Sequence, residues 1–331
     1  MIASLKKKSH PWAIALFLTG LGCLHYAFGA AAPPPAPGKL VDIGGRRLHL
    51  HCAGSGSPTV IIENGSSGFA IDFALVQPEV AKFTQICSYD RAGYAWSEAG
   101  PARGAVGQTT DDLHLVLRKA GIKPPYVLVG ASIGGIYTRA YQRRYPEEVV
   151  GLILDDPTSD EGLGYRVNGK DKLIHEMSAH DMREAFKPLL RNGWHREPPT
   201  KVEEPYDRLP ANLQAARLWA ARKFIAEDDI YQELVTSESW RQEFIALRRE
   251  RLRQEHSLGS LPLIVLGRKQ SDWEMRQRHL AELTALSSAG KLILAKDSGH
   301  EIHLYRPDLV VEAIREVVTA ARGKKSGREG P

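Results

Sequence analysis

Cysteine is scarce in this chain. Cys23, Cys52 and Cys87 are the only three among 331 residues, which excludes a disulfide-dense scaffold. No Cys-x-x-Cys or His-Glu-x-x-His spacing occurs despite 12 histidines, so no metal is expected. Internal repeats with a period of roughly 20–50 residues are absent, which excludes solenoids and propellers. Blocks of one charge are missing from the body of the chain. Setting aside Lys6, Lys7 and Lys8, the 44 basic residues fall to 41 against 39 acidic ones. A nucleic-acid binder concentrates basic residues on one face, and the one other basic cluster is Arg322, Lys324, Lys325 and Arg328, read as a solvated tail. No nucleic-acid partner is expected. What remains is an ordinary globular composition, 43% hydrophobic and 25% charged, unlike that of a disordered chain, a collagen or a multi-span membrane protein.

The one long apolar run lies near the N-terminus. Lys6–Lys8 precede Trp12–Phe28, followed by Ala30–Ala32 and the Pro-rich stretch Pro33–Pro37. A basic region, an apolar region and small residues before a linker describe a secretory signal. At about 17 residues the run is at the short limit for a spanning helix, so the reading is a cleaved signal or a retained membrane anchor through residues 12–28. The protein is expected to be exported, periplasmic or secreted. Beyond the signal, Cys52 and Cys87 are either bridged or buried as thiols.

The expected organisation is a signal or anchor over 1–32, a Pro-rich linker over 33–38, a core over 39–159, an inserted cap over 160–259, the remainder of the core over 260–322 and a basic tail over 323–331. Leu40–Ile43 and Arg47–Cys52 read as a hairpin turning at Gly44-Gly45. Thr59–Glu63, Phe83–Tyr89, Tyr126–Val129, Val149–Leu154, Leu261–Leu266 and Lys291–Ala295 read as strands. Thr109–Ala120, Ile133–Tyr145, Trp273–Leu286 and Pro307–Ala320 read as helices. Strands alternating with helices predict a mostly parallel, doubly wound α/β sheet. Residues 160–259 break the rhythm with a polar, helical pattern and no buried-strand run.

The sharpest motif is Gly130-Ala131-Ser132-Ile133-Gly134. It follows a strand and opens a helix. A nucleophilic serine needs such a tight strand-to-helix turn, with small residues two before and two after so that backbone can approach. The helix N-terminus then helps stabilise developing negative charge. Ser298-Gly299-His300 follows the strand Lys291–Ala295 and offers a base to take the serine proton. His303 reads as a pocket or surface residue, and His49 and His51 as alternating residues on a sheet face. Gly54-Ser55-Gly56 has no following helix and is not a dinucleotide loop; no cofactor is expected.

With these motifs the chain resembles the α/β-hydrolase family, in particular its serine esterases and lipases. The resemblance implies an oxyanion-hole turn after the third strand, where Glu63-Asn64-Gly65-Ser66 stands with Asn64 in place of the usual histidine. It implies Ser66 and Ile133 as backbone oxyanion donors. Asp90-Arg91-Ala92-Gly93-Tyr94 resembles the family's Asp-x-Arg-Gly-x-Gly turn and is read as a loop brace. The resemblance also makes the strands bearing Cys52 and Cys87 neighbours. For the triad acid two positions are open. Asp272 lies in the family's usual loop, but three residues after Gly267 the chain has Gln270, and Asp272 could instead cap the helix at Trp273. Asp156, at the end of the strand after the nucleophile helix and before Pro157, is preferred, because the resemblance includes lipases that draw their acid from that strand end, on the C-terminal edge where ligands bind; Asp155 alternates to the other side of the strand and is set aside. The expected activity is hydrolysis of a small carboxylic ester by Ser132, Asp156 and His300 through an acyl-enzyme. Peptidase or acyltransferase chemistry on the same triad, or a non-catalytic ligand-binding role, are the alternatives. No protein partner is predicted.

Overall fold

Three runs rich in β-branched and aliphatic residues, Thr59–Glu63, Tyr126–Ala131 and Val149–Asp155, are buried along nearly their whole length. Such runs suit central strands covered on both faces. A computed structural model describes residues 33–161, 164–192, 197–227, 230–269 and 273–326. In it these runs are β3, β5 and β6 of an eight-stranded sheet. Before them come β1 (Lys39–Asp42) and β2 (Arg47–Ala53), and between β3 and β5 lies β4 (Ile86–Tyr89). A second, two-stranded sheet pairs β7 (Gly164–Val167) with β8 (Lys170–Leu173). The strands β9 (Leu263–Arg268) and β10 (Gly290–Ala295) complete the large sheet, in the order β1-β2-β4-β3-β5-β6-β9-β10. β2 runs antiparallel to both its neighbours, and every pair from β4 to β10 is parallel.

The helices are α1 (Gln77–Val80), α2 (Val106–Lys119), α3 (Gly134–Arg144), α4 (Ala179–Asn192), α5 (Ala211–Ala226), α6 (Ile230–Arg253), α7 (Trp273–Thr284), α8 (Ile302–Tyr305) and α9 (Pro307–Ser326). Leu113, Val116 and Leu117 of α2, Tyr141 of α3 and Leu280 and Leu283 of α7 pack on one face of the sheet. Val80 of α1 and Val310, Ile314 and Val317 of α9 pack on the other. Chain from Pro34 onward forms one compact unit. This is the α/β-hydrolase fold.

The cap region between β6 and β9 is mostly helical, as expected, but it opens with the β7–β8 hairpin. That hairpin was not anticipated because its strands are largely exposed and carry no apolar run. Cys52 of β2 lies opposite Cys87 of β4, and the two form a disulfide. The N-terminal run 1–32, Gln270 and Asp272 lie outside the described residues. No helix among the described residues is long and apolar enough to cross a membrane.

Candidate active site

β5 delivers Ser132 to the C-terminal edge of the sheet, and the turn that carries it is tightly determined. Ser132 has a left-handed φ of +53°, uncommon for a non-glycine residue. Its N–H donates to Asp155 O at 2.9 Å, and its carbonyl accepts from Gly135 N and Thr158 N at 3.1 Å each. The flanking glycines are sterically required. A Cβ on Gly130 would stand 2.6 Å from Gly134 O, and one on Gly134 would stand 2.3 Å from Glu63 O. Gly134 therefore lets α3 start directly against the end of β3 and the turn that follows it.

β6 supplies two aspartates in succession. Asp155 is still in register with Leu266 of β9. Asp156 donates its N–H to Leu266 O at 3.0 Å and turns out of the strand with φ +40°. His300, on the loop between β10 and α8, donates from Nδ1 to Asp156 Oδ2 at 2.5 Å. The structure thus joins His300 to Asp156. His303, one turn further on, donates from Nδ1 to Asp155 Oδ2 at 2.8 Å. It is buried, and its ring stacks on Phe73 with centroids 4.1 Å apart and planes at 8°.

Asp156 is 2% exposed and holds more than the histidine. Arg268, at the end of β9, donates from Nε to Oδ2 at 2.8 Å. Arg276 of α7 donates from Nη2 to Oδ1 at 2.5 Å and from Nη1 to Pro157 O at 2.8 Å. Burial alone would push the Asp156 carboxyl up, but the His300 hydrogen bond and the two guanidiniums outweigh it and hold the group below its ordinary value. His300 moves the other way. Its hydrogen bond to the Asp156 carboxylate raises its pKa, with burial and Arg268 opposing. The two arginines were not picked out from the sequence. Arg268 directly follows Gly267 at a strand end, a position that carried the only hint.

Ser132 and His300 line one small cavity of about 70 Å³, together with Asn64–Gly68, Asp72, Ala131, Tyr206, Glu301 and His303. The turn after β3 lies against the serine, since a Cβ on Gly65 would be 3.5 Å from Ser132 Cβ. Among the described residues neither the Ser66 N–H nor the Ile133 N–H donates to a protein acceptor. Asn64 is buried, and its Nδ2 lacks a protein partner. The cap reaches the cavity through Tyr206, whose ring stacks on the Arg217 guanidinium at 3.8 Å. Arg217 in turn pairs with buried Asp72 at 2.9 Å. Burial pushes the Asp72 carboxyl up, with Arg217 opposing. Among the described residues no group of three His, Cys, Asp or Glu side chains could hold a metal ion.

Asp90 and Arg91 are both buried inside the core. Asp90 accepts from His49 Nδ1 at 2.7 Å and from Ala70 N at 2.8 Å, so His49, buried in β2, braces that turn. Arg91 reaches the turn after β3 itself.

A family model described as the alpha/beta hydrolase family matches residues 48–313. The chain belongs to the alpha/beta hydrolase family. It is similar to the uncharacterized protein YbdG of Bacillus subtilis (strain 168), at 24% identity over 303 residues and 86% of either chain. Matches to proteins of Schizosaccharomyces pombe and Hormonema carpetanum span only 30% and 18% of those proteins. Among solved structures the hydrolase is similar to a thermophilic esterase from Thermogutta terrifontis, with TM-score 0.59 and 20% identity over 83% of this chain and 94% of that one. It is also similar to the enol-lactonase from Burkholderia xenovorans LB400, with TM-score 0.57 and 16% identity over 85% and 100%. At such identities the likeness is one of fold, and the chemistry has to be argued from this hydrolase's own site.

Proposed function

We propose that this hydrolase cleaves carboxylic esters through an acyl-enzyme, with Ser132 as nucleophile, His300 as base and then acid, and Asp156 as the residue that orients and charges His300. The observation that carries the reading is the His300 Nδ1–Asp156 Oδ2 hydrogen bond of 2.5 Å, from a histidine that shares a cavity with Ser132. With Nδ1–H committed to Asp156, Nε2 of neutral His300 is the lone-pair nitrogen, the form that can accept the serine proton. Attack on the ester carbonyl places negative charge on its oxygen. The amides of Ser66 and Ile133, with no protein acceptor of their own among the described residues, are the donors for that charge. His300 returns the proton to the leaving alkoxide, and a water activated the same way releases the acid.

The cavity of about 70 Å³ is well below the roughly 300–1,000 Å³ of pockets for drug-sized ligands. Short acyl groups are therefore the proposed substrates, with the Tyr206 segment of the cap bounding the site. Export across a membrane is part of the same proposal, supported by the basic-apolar-small pattern of residues 1–32 and by the Cys52–Cys87 bridge.

The test is a fluorophosphonate probe together with a series of aryl esters of increasing acyl length. Labelling at Ser132 and turnover falling with chain length are expected. Ser132→Ala should lose turnover by roughly a millionfold while remaining folded. A folded Ser132→Ala variant that still hydrolyses a short-chain aryl ester would sink the assignment.

A further inference from the structure

The segment Asp90–Tyr94 reads from sequence as a loop brace, yet Arg91 does more than close its own loop. Its guanidinium is 3% exposed and lies 4.5 Å from the Tyr94 ring centroid and 5.1 Å from that of Tyr137. Nη1 donates to Glu63 Oε1 at 2.6 Å and to Asn64 O at 2.7 Å. Nη2 donates to Gly65 O, and to Ser66 O at 3.2 Å. One side chain thus holds three consecutive carbonyls of the turn that faces Ser132. Tyr94 adds a second donor to Ser66 O at 2.8 Å.

In a trans peptide the carbonyl of one residue and the N–H of the next point in opposite directions. None of the cis bonds among the described residues falls in this turn. Fixing Gly65 O on the Arg91 side therefore sends the Ser66 N–H to the opposite side, and fixing Ser66 O does the same for the Ser67 N–H. Arg91 and Tyr94 are not among the residues lining the cavity, whereas Gly65, Ser66 and Ser67 are. The neighbouring carbonyl is held as well, by Arg217 Nη2, which donates to Ser67 O at 3.2 Å.

We propose that Arg91 is a positioning residue of the reaction: by holding the carbonyls of Asn64, Gly65 and Ser66 it aims the Ser66 amide at the oxygen that becomes negative. The inference rests on the serine-hydrolase reading above. A planar five-donor guanidinium can do this and a lysine cannot. An ammonium could still pair with Glu63, but it lacks the fork that spans three carbonyls. A pre-aimed donor matters because it needs no reorganisation when the charge develops.

The experiment compares wild type, Arg91→Lys and Tyr94→Phe on a short-chain aryl ester, with a short alkyl boronic acid as transition-state analogue and thermal unfolding as the fold control. Losing one oxyanion donor costs roughly 10²–10³ in kcat. Arg91→Lys should therefore lose kcat on the order of a hundredfold, with KM within about threefold and boronate affinity falling alongside kcat. Tyr94→Phe leaves Arg91 in place and should lose on the order of tenfold with the same kcat-against-KM split. If Arg91→Lys does not fold, the double variant Glu63→Gln/Arg91→Gln, which leaves no buried charge unpaired, is read the same way. Folded variants with kcat and boronate affinity within twofold of wild type, or with losses confined to KM, overturn the proposal while leaving the hydrolase reading intact. A wild type with neither turnover nor labelling of Ser132 removes the reading, and the role of Arg91 with it.

Discussion

Asp155 and Asp156 are neighbours in the chain, yet each holds a different histidine of the same short segment: His303 Nδ1 donates to Asp155 at 2.8 Å, and His300 Nδ1 to Asp156 at 2.5 Å. Successive residues of a strand face opposite ways, and the left-handed φ of Asp156 turns it out at the strand end. The two pairs differ in surroundings. His303 is buried against Phe73, whereas the His300 side chain is 42% exposed at the cavity.

That difference separates two substitutions. Asp156→Asn should cost roughly 10⁴-fold in turnover, because His300 loses both its orientation and the charge that stabilises its imidazolium. Asp155→Asn should act mainly on stability, at about 1–3 kcal/mol for a compromised buried hydrogen bond, with kcat per folded molecule within about tenfold. Asp272→Asn should be mild. Kinetics on the three purified variants, with unfolding midpoints, check this; a crippled Asp272→Asn beside a near-normal Asp156→Asn would reassign the acid.

The pH dependence follows from the charges around His300, which are Asp156, Glu301 and Arg268. The hydrogen bond to Asp156 raises the histidine pKa above its ordinary 6.5, and the proposed mechanism needs the neutral ring. Activity should therefore be lost as pH falls through that raised value, giving an acid limb in kcat/KM above the ordinary histidine range. Asp156, held low by its cationic partners, stays ionised throughout. Arg268 opposes protonation of His300, so Arg268→Gln should move the acid limb to higher pH. A limb that stays put or moves to lower pH contradicts this placement of charge.

The disulfide ties β2 to β4 across a sequence separation of 35. A loop of that size constrains the unfolded chain, and losing the bridge should destabilise the protein by roughly 2–4 kcal/mol. Non-reducing thiol counts on denatured protein should find Cys52 and Cys87 oxidised. Under the export proposal, N-terminal sequencing of mature protein starts between Ala30 and Lys39. An intact Met1 chain with free thiols, recovered from a soluble cytosolic fraction, would count against export and the bridge together.

Legibility in the sequence followed how local the determining physics is. Gly130–Gly134 was readable because one tight turn dictates both glycines, and β3, β5 and β6 because burial on both faces demands continuous apolar runs. Their ends were less so. The Phe83–Tyr89 expectation shortened to Ile86–Tyr89, since Phe83 and Thr84 complete the turn after α1 with bonds to Val80 O. The β9 expectation shifted two residues, to Leu263–Arg268. Meetings of distant segments were legible only where the family resemblance supplied them, as for Asp156 with His300 and Cys52 with Cys87; the remaining ones were not. Arg276 lies 120 residues from Asp156. Arg217 lies 150 residues from Ser67. The Asp155–His303 pair spans 148. No local period or motif encodes such contacts.

The most local of these readings also gives the sharpest steric test. Gly134→Ala places a methyl 2.3 Å from Glu63 O and 2.8 Å from Asn64 O, both backbone atoms that cannot rotate away. Either α3 or the turn after β3 must shift. Overpacking of this kind costs about 1–3 kcal/mol, but α3 begins two residues after Ser132 and the turn after β3 carries Ser66. A displacement of about 1 Å between reacting groups can cost on the order of 10²-fold, so activity should fall further than stability. Gly107→Ala is the control. Gly107 lies in α2 with nothing within 4 Å of an added Cβ, and a helical alanine there should be neutral or stabilising by up to about 1 kcal/mol. Measured side by side, Gly134→Ala should lose at least tenfold in kcat at a temperature where both variants are folded, with Gly107→Ala unchanged. Equal kinetics in the two would mean that the close approach of β3 and α3 does not govern the reacting geometry.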